Sequence, residues 1–180
     1  MKILFISDIH GGATALKKML PIIEDENPEF IIMLGDALNH GPRNPLPEGY
    51  NPQEVADSLN SFKEKLIAVR GNCDSEVDQM LLDYPTMADY SWFCDRDKKM
   101  FLTHGHIYYE GNLPTLPKNS IIISGHTHIP VAKKESDYFF INPGSIALPK
   151  GGYPPSYAIY QNGHFDIISL EKEVLMSLDC

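Results

Sequence analysis

"KILFISDIHGGA", residues 2–13, decides how this chain is read. An apolar run of strand length reaches Ser7 without interruption, as expected of a strand buried on both faces of a mostly parallel sheet. Asp8 and His10 follow where that strand ends. Gly11 and Gly12 then open onto a segment with Ala15, Leu16, Met19, Leu20 and Ile23 at helical spacing. Pro21 is expected to bend or divide this helix.

The strand-then-turn pattern recurs twice. "FIIMLGD" (30–36) ends on Asp36, and "KLIAVRGN" (65–72) ends on Asn72 after a helix near 52–63. Three β-α units in succession predict a parallel α/β half. From about residue 90 the chain turns to short β-rich runs, "KMFLTH", "SIIISGHTH", "DYFFINPG", "SYAIYQNGHFDIISL" and "EVLMSL", with a hairpin turning at Asn162-Gly163. These runs predict a second, mixed or antiparallel sheet packed face to face on the first, with helices outside both.

A length of 180 residues with 43% hydrophobic content predicts one domain over 1–180. The apolar start is cut off at Ser7 and Asp8, too soon for a signal-peptide core or a membrane span, so a soluble, unprocessed protein without a membrane partner is expected. Three cysteines without paired spacing suit a reducing cytoplasm better than a disulfide scaffold. A net charge of -9 opposes long nucleic acid, whose binding draws on clustered Lys and Arg. A phosphate-bearing substrate would need a local attractor, such as bound divalent cations.

Sites in open α/β sheets form at the carboxyl ends of the strands. There the sequence places Asp8, His10, Asp36 and Asn72, and the β-rich half adds His104 after "MFLT" and His126 and His128 after "IIISG". Each is a residue type that divalent cations use. Side chains two apart point the same way only in extended backbone, so Asp8 with His10, and His126 with His128, are expected to be extended if each pair serves one centre. Glycine at 11, 35, 71, 105 and 125 permits tight turns beside these residues. Taken singly, Asp8 reads as a helix N-terminal carboxylate, His10 as a packed loop histidine, Asp36 and Asn72 as turn formers, and His126 and His128 as strand-end surface residues. Their joint occurrence is what favours a metal site.

"SDIHG", "LGD", "RGNCD", "THGH" and "SGHTH" resemble the five blocks of the calcineurin-like metallophosphoesterases, in the family's order and across nearly the whole chain. The likeness is closer still to the family's small bacterial phosphodiesterases, through "LGDALNHGPRN", "VRGNCDSEVDQM" and "INPGS". The resemblance implies an α/β fold, a four-layer α/β/β/α sandwich of two packed mixed sheets with outer helices. It also implies two divalent ions, one on Asp8, His10, Asp36 and His128 and the other on Asp36, Asn72, His104 and His126. Asp36 would bridge them, one carboxylate oxygen to each. Mn²⁺ is the metal favoured, with Fe or Zn as alternatives.

The activity implied is hydrolysis of a small phosphate diester by a hydroxide held between the ions. Alternatives are a phosphomonoesterase or nucleotidase, or a protein-binding scaffold of the kind this fold forms in the retromer complex, where the metal ligands are incomplete. A homo-oligomer fits both the resemblance and an exposed sheet edge.

Four further residues are candidates for the chemistry. His40 and Arg43 lie in the proline-rich insertion 38–52, where His40 would protonate a leaving oxygen and Arg43 would clamp a phosphate; solvated loop residues are the plainer reading. Cys73 stands where most of the wider family has a histidine assigned to the leaving group, and Asp74 follows it in the same motif. A thiol lacks the reach and cationic form of imidazole, so a preference for activated diesters is expected. His106 reads as structural beside the centre and His164 as surface. The Asn142–Ser145 turn and Lys150 are further candidates to approach the metals or a substrate anion.

Overall fold

The computed structural model describes residues 1–180. β1 (Lys2–Ile6) is apolar and buried from Ile3 onward because both of its faces are covered there. Leu4 and Ile6 face a core beneath two helices, while Ile3 and Phe5 face a core between two sheets. β2 (Phe30–Met33) and β3 (Leu66–Ala68) lie parallel beside it, so the carboxyl ends of all three point the same way.

α1 (Ala13–Glu26) and α2 (Pro52–Asn60) cover the outer side of this sheet with Leu16, Met19, Ile23, Val55 and Leu59. Pro21 does not divide α1: the helix runs through it and ends at Asn27, whose left-handed backbone caps onto the Ile23 carbonyl. Buried residues on both sides of Pro21 hold the helix to the sheet across the lost hydrogen bond. α2 begins at Asn51, whose side chain accepts from the Glu54 N–H, with Pro52 in the first turn where its missing N–H costs nothing. A short α3 (Glu76–Leu81) opens with a capping box between Ser75 and Asp78.

The second sheet holds β4 (Tyr90–Asp95), β5 (Lys98–Thr103), β6 (Ile121–Ile123), β7 (Val131–Glu135) and β8 (Tyr138–Asn142), in the order β4-β5-β6-β8-β7. β5, β6 and β8 are parallel, which makes the sheet mixed and brings their carboxyl ends together as in the first. The β-rich half does not form one sheet, however. β9 (Ser156–Gln161), β10 (His164–Ser169) and β11 (Val174–Asp179) return to the first sheet, where β9 pairs antiparallel with β1 and extends it to six strands. The hairpin turns at Asn162-Gly163, both at positive φ, as a two-residue connection requires.

The two mixed sheets pack face to face through Ile3, Phe5, Ile32 and Val69 on one side and Met100, Leu102, Ile121 and Ile141 on the other. Truncating Phe5, fully buried there, would cost about 3–5 kcal/mol. The outermost layer over the second sheet is not a helix. The irregular segment 104–119, interrupted by Pro114 and Pro117, places Tyr108, Leu113 and Leu116 against Phe101 and Ile122. No helix is long and apolar enough to cross a membrane.

Candidate metal centre

The parallel ends of β1, β2 and β3 and those of β5 and β6 open onto one place, and all seven candidate ligands meet there. Asp8 Oδ1 lies 3.5 Å from His10 Nε2 and 3.3 Å from His128 Nε2, and the two imidazole nitrogens are 3.3 Å apart. Asp36 Oδ2 lies 3.6 Å from His10 Nε2 and 3.4 Å from His104 Nε2. Asn72 Oδ1 is 3.1 Å and His126 Nδ1 3.3 Å from His104 Nε2.

Backbone carbonyls set the tautomers. Nδ1 of His10, His104 and His128 lies 2.8, 2.7 and 2.6 Å from the carbonyls of Asn39, Leu34 and Leu148. A carbonyl only accepts, so each Nδ1 carries the proton and donates, leaving Nε2 of the neutral ring as a lone pair aimed at the cluster. With every ring neutral, lone pairs of nitrogen and carboxylate would face one another with no hydrogen between them. Asp8 Oδ1 is buried without a hydrogen-bond donor. Such a set is stable only around cations, whether protons or metal ions.

The electrostatics agree. Burial would raise the pKa of Asp8, but His10, His128 and the charge of His104 outweigh it and hold the carboxylate well below its usual range. Burial likewise opposes protonation of His104, yet Asp36 and Asp8 lift it to about 9. His10 moves up, against its burial, because of Asp8. Without metal ions, protons do the neutralising. The donors, two carboxylates, four imidazoles and an amide, are of the kind that holds divalent ions such as Mn, Fe or Zn, and Asp8, His10 and His128 in one group and Asp8, Asp36 and His104 in another bring their ligand atoms within 4.8 Å of one another.

Two expectations are corrected by the backbone. The ligand pairs are not extended: Asp8 (φ 56°), His10 (51°), Asp36 (56°), His126 (67°) and His128 (60°) are all left-handed. Such non-glycine conformations cost of order 1–3 kcal/mol each and persist where the surroundings enforce them. Here the enforcement is visible: His10 N–H donates to the Asp36 carbonyl at 2.9 Å, and His126 N–H donates to Asp8 Oδ2 at 2.9 Å. Second, Asp36 does not offer one oxygen to each side. Oδ1 accepts the Cys73 N–H at 2.8 Å, so Oδ2 alone faces both groups of ligands.

Glycine is required where the loops approach closely. A Cβ on Gly71 would collide with the Asp36 carboxylate, and one on Gly125 with the side chains of Ser7 and Asp8.

Asp74, a candidate catalytic residue, is buried with both carboxylate oxygens engaged by backbone. Its oxygens accept N–H groups of Asp36, Ala37 and Gly71 at 2.9, 3.1 and 2.7 Å, tying the loop after β2 to the loop after β3. His40 stacks edge-on against Tyr50 and is not among the residues lining the cleft over the centre. Arg43 and Lys150 do line that cleft, and Cys73 Sγ lies within 4.8 Å of ligand atoms of His10 and Asp36. Burial, then the charge of Asp36, pushes the Cys73 thiol up to about 12, so in the protein's own field it stays protonated. His106 packs 5.4 Å from the His104 ring, its pKa lowered by burial and by His104.

The "INPGS" turn contributes more than backbone proximity. Asn142 Nδ2 donates to the Gly125 carbonyl at 2.7 Å, and Ser145 Oγ donates to the Asp8 carbonyl at 2.7 Å, so one turn braces two ligand loops. The carbonyls of Leu34, Asn39 and Leu148, which orient three imidazoles, leave no mark in the sequence.

Residues 1–163 match the family model of the calcineurin-like phosphoesterase superfamily domain. The chain belongs to that superfamily. It is 46% identical over 177 residues to the phosphodiesterase YfcE of Escherichia coli K12, covering 98% of this chain and 96% of the relative. A solved structure of YfcE, described as a phosphoesterase from E. coli, matches with a TM-score of 0.97 at 45% identity over 99% of both chains. Vacuolar protein sorting 29 from Cryptosporidium parvum shares the phosphoesterase fold, with a TM-score of 0.65 at 15% identity over 99% of this chain and 98% of its own.

Proposed function

We propose that the protein is a metal-dependent phosphodiesterase, a phosphoric diester hydrolase acting on a small phosphate diester. The observation that carries this reading is the cluster of lone pairs from Asp8, His10, Asp36, His104 and His128, with Asn72 and His126 beside them, at the floor of an open cleft. Two bound divalent ions would acidify a water and take up phosphate oxygens there. The chain's own residues do the rest: carbonyl-tethered imidazoles hold their lone pairs in place, Asp74 holds the Asp36 loop, and Arg43 and Lys150 face the arriving anion.

The 46% identity to a phosphodiesterase supports diester over monoester hydrolysis. A full set of seven donors favours catalysis over a scaffold role. Mn²⁺ is the metal we assign, with Fe or Zn as the alternatives that reconstitution would reveal. Three free cysteines support a reducing, cytoplasmic setting. We read residues 1–180 as one domain because β1 contributes to both main cores. The unpaired edge of β4, with Tyr90 and Trp92 exposed, leaves room for a homo-oligomer.

The test is hydrolysis of bis-p-nitrophenyl phosphate with Mn²⁺, using Asp36→Ala and His126→Ala as controls. Wild-type turnover no faster than either variant would refute the assignment. Cys73→His should ease expulsion of poor leaving groups; an unchanged leaving-group dependence would remove Cys73 from that role.

A further inference from the structure

The cleft above the candidate centre has a volume of about 780 Å³, far more than one phosphate needs, and its chemistry is one-sided. No Phe, Tyr or Trp side chain lines it. Beyond the candidate ligands, its walls are Asn39, Pro42, Arg43, Asn44, Pro45 and Lys150 with Gly41 and Cys73. Bases and other flat apolar groups are held mainly by stacking on aromatic side chains, and this cleft provides no such platform.

Its two cations are also uncompensated. Elsewhere in this acidic chain Lys2, Lys17, Lys63, Lys98, Lys118, Lys133 and Lys172 each meet a carboxylate, while Lys18, Lys65, Arg70, Arg96, Lys99 and Lys134 make no ion pair but lie outside the cleft. Arg43 and Lys150 make no side-chain hydrogen bond or ion pair with the rest of the protein, and both face the cleft. The elements holding them are ordered from within. Asn44 donates to the His40 carbonyl at 2.9 Å, Asn39 accepts the Gly41 N–H at 2.9 Å, and Lys150 N–H donates to the carbonyl of His128 at 3.1 Å. Lys150 is thus anchored on a candidate ligand loop.

Charge arithmetic then asks for a second anion. Two divalent ions against Asp8 and Asp36 leave roughly +2, which an activated hydroxide and the single charge of a diester bring to about zero. Arg43 and Lys150 remain over. We propose that the substrate is a small hydrophilic phosphodiester carrying a second anionic group, phosphate or carboxylate, held by Arg43 and Lys150, and carrying no nucleobase. This rests on the diesterase reading of the same site. In the reaction the oxygen of water bonds to phosphorus and the P–O bond to the leaving alcohol breaks. One water proton goes to the leaving oxygen and the other stays on the monoester product.

The test uses three p-nitrophenyl diesters with the same leaving group and different second arms: 2-phosphoethyl, 2-hydroxyethyl and uridine 5′-yl. The 2-phosphoethyl diester should exceed the hydroxyethyl diester by about tenfold or more in kcat/KM, the scale of one charge-assisted contact. The uridine diester should do no better than the hydroxyethyl one. In the double variant Arg43→Gln, Lys150→Gln the phosphoethyl-to-hydroxyethyl ratio should collapse to about one, as expected when the discriminating contact is gone.

Calorimetry on the Mn²⁺-treated protein provides a readout independent of turnover. Methylenediphosphonate should bind about tenfold more tightly than methylphosphonate, and the double variant should lose the difference. Equal kcat/KM for the phosphoethyl and hydroxyethyl diesters, or a uridine diester preferred over both, would overturn the second-anion proposal while diester hydrolysis stood. If no diester turned over, the diesterase reading would fall, and equal binding of the two phosphonates would then end this proposal as well.

Discussion

The two walls of the candidate centre are built differently. On one side Asp8 and His10 are fully buried and His128 nearly so, and both imidazoles are tethered to backbone carbonyls. On the other side only His104 is buried and tethered in this way. Asn72 is exposed, and His126 is half-buried and presents Nδ1, the atom that its counterparts use for their tether. Shared between them is Asp36 Oδ2, which faces both His10 and His104. A buried wall with fixed tautomers is preorganised and costs little further entropy when an ion arrives, while a half-open wall must still be ordered. The first wall should therefore hold its ion more tightly than the second.

The shared oxygen gives the largest expected effect. Asp36→Ala removes a donor from both walls, so both ions should be lost from metal analysis and diester hydrolysis should fall by at least about 10³-fold, the scale on which losing a charge-stabilising element acts. If Asp36→Ala retained two ions, a bridging role for this carboxylate would be excluded.

Breaking one wall at a time should expose the asymmetry. Asn72→Ala should keep one ion and lose activity by about 10–100-fold, recoverable in part by excess Mn²⁺, whereas His128→Ala should lower occupancy at both positions. Equal metal retention in the two variants would erase the distinction between the walls. Asp74→Asn probes the staple: an amide cannot accept all three N–H groups, so activity and metal affinity should drop together by about tenfold, with the protein still folded by circular dichroism.

The pH dependence of metal uptake has a definite sign. His104 sits at about 9 without metal, so near neutral pH a proton must leave before its Nε2 can serve an ion. Affinity for Mn²⁺ should therefore climb as pH rises toward 9 and weaken as pH falls. Proton release on binding, read by calorimetry in buffers of different ionisation enthalpy, should be larger at pH 7 than at pH 9.5.

The smallest effect lies far from the centre. His164 is raised above its ordinary 6.5 by Asp179, against slight burial, and further by Asp166. Its stabilisation should be fully present below about pH 6.5 and disappear as pH rises through the folded-state value. Because the pair is exposed and screened, His164→Asn should cost only about 0.5 kcal/mol at pH 5.5 and almost nothing at pH 9 in urea denaturation.

The contrast between the walls also marks what the sequence could reveal. Residue types at strand ends were legible, because an apolar run stopping at Asp8, Asp36 or Asn72 marks both the strand and what stands at its end. The family motifs implied a division of these candidate ligands between two ions. Three features were not legible, each for a physical reason. The return of β9–β11 to the first sheet depends on antiparallel pairing of β9 with β1, a contact between distant segments that no local pattern encodes. Left-handed backbone at five candidate ligands is imposed by neighbouring loops, whereas the residues themselves would favour other conformations. Asp74 and Asp36 are carboxylates in adjacent loops and look alike in sequence, yet one spends its oxygens on backbone N–H groups and the other turns one toward the imidazoles.

The most direct test is a titration of chelator-treated protein with Mn²⁺ while following bis-p-nitrophenyl phosphate hydrolysis and bound metal in the same samples. With two unequal walls, activity should stay low through the first equivalent, rise with the second and saturate at two ions per chain. Full activity at one bound ion, or hydrolysis indifferent to metal, would contradict the account.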